Sequence, residues 1–232
     1  MDTLPWLNTA EYSPLLLALF GLGCLGWVVA YMATLKTIWK RKYVEIPAGA
    51  VVANVAWEFI WSFFYHPDIG RLFAWGYRAW FFLDVFITYS LFRYGSKQVV
   101  NPSLRRWFAP AAAFGIVAWT ALIYTFRPLD SSYGGISGYI LNVMMSFLYL
   151  ILLAQERSDI QDFSALVGWS KMLGTGFFSV FNALYVPENR FLMTMCAVTF
   201  ILDATYVVAF HRIKAKAGAT AAAAGAGALR VA

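Results

Sequence analysis

The chain has 232 residues, 61% hydrophobic and 19% aromatic, with only 13% charged and a net charge of +6. A soluble domain averages about 25% charged residues, and at this length it could not hide so much apolar surface from water. The composition excludes a secreted disulfide scaffold, a disordered chain and most soluble enzyme folds, and predicts an all-α, polytopic integral membrane protein.

Seven apolar runs are long enough to cross a bilayer, at roughly 20 residues each. They occupy 13–36, 47–65, 72–94, 107–126, 136–155, 163–185 and 191–211. The breaks between them carry turn and charge signals: Lys40-Arg41-Lys42, His66-Pro67-Asp68, Asn101-Pro102-Ser103, Arg127-Pro128, the segment 156–159 and Pro187-Glu188-Asn189-Arg190. The first run follows only Asp2 and Glu11, with no basic residue, and is expected to be a retained helix. Residues 1–211 are expected to form one seven-helix transmembrane domain. Residues 212–232, Ala/Gly-rich, are expected to form a disordered cytoplasmic tail.

Basic residues set the expected orientation. Of 18 lysines and arginines, thirteen fall at one end of the runs, and Arg71, Arg127 and Arg190 fall at the other. Arg78 and Lys171 lie inside the runs. The asymmetry predicts an outside N-terminus and a cytoplasmic C-terminus. It also assigns the positive charge to the membrane, with no nucleic-acid partner.

A faint repeat links the second run (Ala53-Asn54-Val55-Ala56-Trp57) to the sixth (Ala165-Leu166-Val167-Gly168-Trp169), and the third (Phe81-Phe82-Leu83-Asp84) to the seventh (Phe200-Ile201-Leu202-Asp203). It would suit two three-helix units joined by a fourth helix.

Ionisable groups at bilayer depth cost at least about 2.5 kcal/mol each and are functional candidates by default. At 1.5 Å per residue from the cytoplasmic ends, Glu58 and Asp84 lie at about 15 Å, and Lys171 and Asp203 at about 12 Å. Arg78, at about 24 Å, is off this layer and can snorkel. Each residue belongs to a stripe of helical spacing. These are Asn54, Glu58, Trp61 and Tyr65; Tyr77, Phe81, Asp84 and Thr88; Lys171, Thr175, Phe178 and Asn182; Thr199, Asp203, Tyr206 and Phe210; and Asn142, Ser146 and Tyr149. Facing one another, they would line an aromatic cavity holding a few acids. One lysine cannot neutralise three carboxyls, so at least one is expected to be neutral, the form a general acid needs. Lys171 with Asp84 or Asp203 could equally be a structural ion pair. Asn54, one turn before Glu58, is placed to hydrogen-bond its carboxyl. The rings at 57–65 and 73–82 exceed an interfacial belt and would suit a carbocation, although packing is the ordinary role of any single ring.

Other chemistries are set aside. Cys24 and Cys196 have no zinc or redox spacing. His66 and His211 lie at opposite ends, so haem or an intramembrane metal is not expected. Gly21-Leu22-Gly23-Cys24-Leu25-Gly26 fits G-x-G-x-x-G, but inside a spanning helix it reads as close helix packing. The last run has no lysine for a retinal Schiff base, and no Asp-rich cluster could hold a diphosphate through metal.

The length, the seven runs, Asn54-Val55-Ala56-Trp57-Glu58-Phe59 and the lone Asp203 of the last run resemble the integral-membrane terpene cyclases. These serve fungal meroterpenoid and indole-diterpene pathways of the paxilline type, with bacterial indole-sesquiterpene relatives. The resemblance extends to about residue 211. It implies a metal-independent, cofactor-free cyclase of isomerase or lyase type, in secondary metabolism. Such an enzyme protonates a terminal epoxide or alkene of a prenylated aromatic substrate and guides cationic ring closure. An upstream prenyltransferase or epoxidase would supply the substrate. The membrane would be the cell membrane in a bacterium, or the endoplasmic reticulum in a fungus. The family's two acids match Glu58 and Asp203, the expected catalytic pair. Asn54, Trp57, Trp61, Asp84, Lys171 and Tyr206 are the expected substrate-binding residues. The alternative is a seven-helix small-molecule transporter with a 3+1+3 repeat, using the same polar layer as its binding site or proton relay.

Overall fold

The computed structural model describes residues 4–155 and 160–228, with side chains through 220. It contains seven α-helices, and no strand occurs among the described residues. They are α1 (Pro14–Arg41), α2 (Ala48–Phe63), α3 (Arg71–Gln98), α4 (Phe108–Phe126), α5 (Gly135–Ala154), α6 (Ala165–Tyr185) and α7 (Arg190–Ala228). Local chemistry explains several of the ends. The Ser13 side chain caps α1 by accepting from the Leu16 N–H, with Pro14 at the first position, where its missing N–H costs nothing. Lys42, in the left-handed region, closes the other end of α1. Gly134, at φ 78°, starts α5 against Trp57 and Trp61. A Cβ there would sit 2.7 Å from the Trp61 ring, so the position requires glycine.

Four stretches are long and apolar enough to cross a membrane by length and composition: Pro14–Arg41, Pro102–Leu129, Gly135–Ala154 and Arg190–Thr220. All seven expected runs are helical, but α2 has only 16 residues, and α3 and α6 carry charged residues within them. α7 also differs from the expectation of a span ending at 211 and a disordered tail. Its helical backbone continues to Ala228, through alanine-rich sequence of high helix propensity with no proline to stop it. The last four residues lie outside the described residues, as does the charged break at 156–159.

Helix contacts close a ring. α1 packs on α6, α6 on α7, α7 on α5, α5 on α2, α2 on α3 and α3 on α1. α4 lies outside this ring, against α2 and α3, and only Ala112 and Ile123 of it are buried. The tightest approach is α1 on α6. A Cβ on Gly26 would lie 2.6 Å from the Gly174 Cα, and one on Gly23 would lie 2.7 Å from the Phe178 ring. The glycine motif of α1 is a packing surface. The bundle's outside is apolar, with Leu25, Phe86, Phe114, Val117 and Ile201 exposed, as lipid contact demands.

Candidate active site

The ring surrounds a cavity with an open mouth. Five helices line it: α1 (Phe20, Trp27, Tyr31), α2 (Asn54, Trp57, Glu58), α3 (Tyr77, Trp80), α5 (among others Tyr139 and Asn142) and α6 (Phe178, Phe181, Asn182). The turn Tyr133–Gly135 completes the wall, and no lining residue comes from α4 or α7. Several rings pack edge-on or tilted, Phe20 on Phe178 with centroids 4.9 Å apart and Trp57 on Tyr77 at 5.3 Å, while Tyr77 and Trp80 stack at 5.3 Å. The edge-on and tilted arrangements leave electron-rich faces available to a cation. The polar atoms of the upper wall are committed to protein. Trp57 Nε1 donates to Ser137 Oγ at 2.7 Å, Tyr77 donates to the Tyr133 carbonyl at 2.9 Å, and Tyr133 donates to Asn182 Oδ1 at 2.7 Å.

The expected polar layer splits into two clusters. In the first, Tyr31 donates to Glu58 Oε1 at 2.6 Å. Asn54 Nδ2 bonds the Tyr31 hydroxyl oxygen and approaches Glu58 Oε1 at 3.3 Å and Asp84 Oδ2 at 3.5 Å. Glu58 Oε2 is buried without a hydrogen-bond partner. In the second cluster, Lys171 Nζ bonds Asp203 Oδ1 and Ser146 Oγ, each at 2.6 Å. The lysine also lies 5.9 Å from the centre of the Trp27 ring. Trp27 is the contact between this ion pair and the cavity wall.

Of the residues singled out in the sequence, Asn54, Trp57 and Glu58 line the cavity, and Asp84 touches it through Asn54. Trp61 is buried behind, 6.0 Å from the Trp57 ring centre and 5.3 Å from the Arg127 guanidinium. Lys171 and Asp203 form the ion pair, and Asp84 is not the lysine's partner. Tyr206 packs on Tyr149, at 5.3 Å, and against Gly168. None of Trp61, Lys171, Asp203 and Tyr206 belongs to the cavity lining. Arg78 sits off the layer, donating to the Ser62 carbonyl and lying 4.6 Å from the Trp75 ring centre. The sequence reading missed α1. Phe20, Trp27 and Tyr31 recur at helical spacing, a signal that was legible, but the charged residues of α1, Lys36, Lys40 and Arg41, lie toward its C-terminal end and none marks the middle of the helix.

A family model described as Pyr4-like transmembrane terpene cyclases matches residues 5–216. The chain is similar to terpene cyclase cle7 of Aspergillus versicolor, 28% identical over 218 residues and covering 86% of this chain and 88% of that one. It is similar to terpene cyclase olcD of Penicillium canescens, 28% identical with 82% and 81% covered. A third relative, asnovolin H synthase nvfL of Aspergillus novofumigatus, is 24% identical with 82% of each chain covered. No solved structure matches the chain. The match to membrane cyclases does not favour the transporter alternative.

Proposed function

We infer the chemistry from one premise: this chain belongs to the Pyr4-like transmembrane terpene cyclases. It is a membrane enzyme of terpene cyclisation. We propose that its substrate is a prenylated aromatic compound, of meroterpenoid or indole type, bearing a terminal epoxide or alkene. The substrate enters from the bilayer, and the prenyl chain folds against the rings of Phe20, Trp27, Trp57, Trp80 and Phe178. Neutral Glu58 delivers a proton to the epoxide oxygen or alkene carbon. The C–O bond opens, or the alkene is protonated, and the resulting carbocation is attacked in turn by the remaining double bonds. Loss of a proton from the last cation ends the cascade, so the product is an isomer of the substrate and the acid is restored over the cycle.

The observation that carries this reading is Glu58 itself: a buried carboxyl in an aromatic wall, one oxygen held by Tyr31 and the other without a partner. Glu58 is preferred over Asp203 as proton donor because Asp203 is paired to Lys171 and lies off the cavity lining. Asp203 acts from behind the wall, balancing the charge that Lys171 presents to Trp27.

The test is product formed per folded enzyme with a prenylated epoxide, in detergent and without a gradient. Glu58→Gln keeps shape and polarity but lacks the acid proton, and should lose at least about 10² to 10⁴ in rate. Arg78→Gln should turn over like wild type. Wild-type rates in Glu58→Gln would end the reading. The basic-residue asymmetry also supports seven crossings with the N-terminus outside. A reporter fused after residue 232 should register cytoplasm, and a signal from the opposite side would overturn that topology.

A further inference from the structure

A neutral carboxyl carries its proton on one oxygen, and the groups around Glu58 decide which. Asn54 Nδ2 faces three oxygens, those of Tyr31, Glu58 Oε1 and Asp84 Oδ2. That environment sets the amide's orientation, because the carbonyl end would meet acceptors there. An amide nitrogen only donates, so the Tyr31 oxygen receives its hydrogen bond. The phenol has a single hydrogen, and its remaining contact is Glu58 Oε1 at 2.6 Å. The chain is therefore directed, Asn54 to Tyr31 to Glu58. Oε1 faces two donors and is an acceptor. Oε2 has no protein partner.

We propose that Tyr31 is a positioning residue, which holds Oε1 of Glu58 as the accepting oxygen and so keeps the acid proton on Oε2, available to the substrate. The proposal rests on the reading that Glu58 initiates cyclisation. In the first step the Oε2–H bond breaks. An O–H bond forms on the epoxide oxygen, and the ring C–O electron pair passes to that oxygen. With an alkene, a C–H bond forms from the π pair instead. The carboxylate left behind keeps the Tyr31 O–H on Oε1, now as a charge-assisted hydrogen bond, roughly twice as strong as a neutral one. Tyr31 thus serves the donor before transfer and the anion after it. It comes from α1, the helix packed directly on α6 through Gly26 and Gly174, so a rigid interface holds it.

The test combines infrared spectroscopy with kinetics on the full chain. The C=O stretch of the protonated Glu58 carboxyl is assigned as the band that Glu58→Gln removes. Tyr31→Phe strips the hydrogen bond from that C=O, so the band should move to higher wavenumber. With the acid's aim lost, kcat should fall about 10²-fold, with KM little changed. Asn54→Leu, which frees the Tyr31 hydroxyl to rotate, should also displace the band and lower kcat. Arg78→Gln should leave band and turnover as in wild type. A Glu58 band that moves in neither Tyr31→Phe nor Asn54→Leu overturns the positioning role and leaves Glu58 as the acid. A wild-type enzyme with no Glu58 band, or normal turnover in Glu58→Gln, overturns the acid reading itself.

Discussion

The first three helices and the last three are built on one plan with different chemistry at the same place. Adding four to each helix number, counted round the pairing, carries one set of contacts onto the other. The pair α1 and α3 maps to α5 and α7, α2 and α3 to α6 and α7, and α1 and α6 to α5 and α2. α4 is the joint outside. The short repeats of the sequence fall on matching helices, and they put Asp84 on α3 where Asp203 stands on α7. In the first half the aspartate meets an amide at 3.5 Å, and the adjacent carboxyl Glu58 meets a phenol. In the second half the aspartate meets an ammonium at 2.6 Å. A neighbouring cation settles a buried acid as an ion. Neutral donors leave it free to be protonated, because a lone buried charge is costly. One scaffold therefore holds a closed ion pair and a set of acids able to carry a proton.

Breaking the ion pair should have the largest effect on stability. Lys171→Met leaves Asp203 as an uncompensated buried charge, which costs about 3–5 kcal/mol. Thermal unfolding in detergent should show that loss, and adding Asp203→Leu should recover much of it. Strictly additive losses would mean that the two residues are not coupled. Asp84→Asn, the matching change in the first half, should cost only about 0.5–1.5 kcal/mol. A loss in Asp84→Asn as large as that in Lys171→Met would erase the contrast.

The interfaces sharpen the comparison next. Gly26→Leu pushes side-chain atoms into the backbone of Gly174 and should destabilise by about 1–3 kcal/mol, through overpacking. It should also lower cyclisation by displacing Tyr31 and Trp27. At the matching α2 and α5 interface, a Cβ on Gly49 would meet only the flexible end of Leu148, at 3.3 Å. Gly49→Ala should change the unfolding midpoint far less, and a larger loss there than at Gly26 would reverse the assignment of the rigid side.

The last contrast depends on pH and lies at the turn between α1 and α2. Burial pushes the Glu45 carboxyl up to about 8, against the partial offset of the Ser164 N–H it accepts at 2.8 Å. Its folded value lies above the unfolded one near 4.5, so the native state holds the proton more tightly. Stability is then lost as pH rises from about 4.5 to about 8, the unfolded chain releasing its proton first. Glu45→Gln removes this slope. Its midpoint relative to wild type should rise between pH 5 and pH 8, and a difference independent of pH would show that Glu45 is ionised in the folded state.

Much of this was legible in the residues alone. Apolar runs mark the seven helices, because length and hydrophobicity are local properties. The burial of Glu58, Asp84, Lys171 and Asp203 was legible because ionisable groups in the middle of apolar runs avoid lipid. The glycine motif reads as close packing because only glycine lets backbones meet. What rise and periodicity cannot supply is the order of helices round the bundle and the azimuth of each. Those are set by side-chain packing between segments distant in sequence. Only the tertiary structure therefore decided that Lys171 pairs with Asp203 and not Asp84, and that α4 stands outside the ring. It also moved Trp61, Tyr206 and Asp203 behind the cavity wall, and brought Tyr31, on a helix whose charged residues all lie toward its C-terminal end, onto the carboxyl of Glu58.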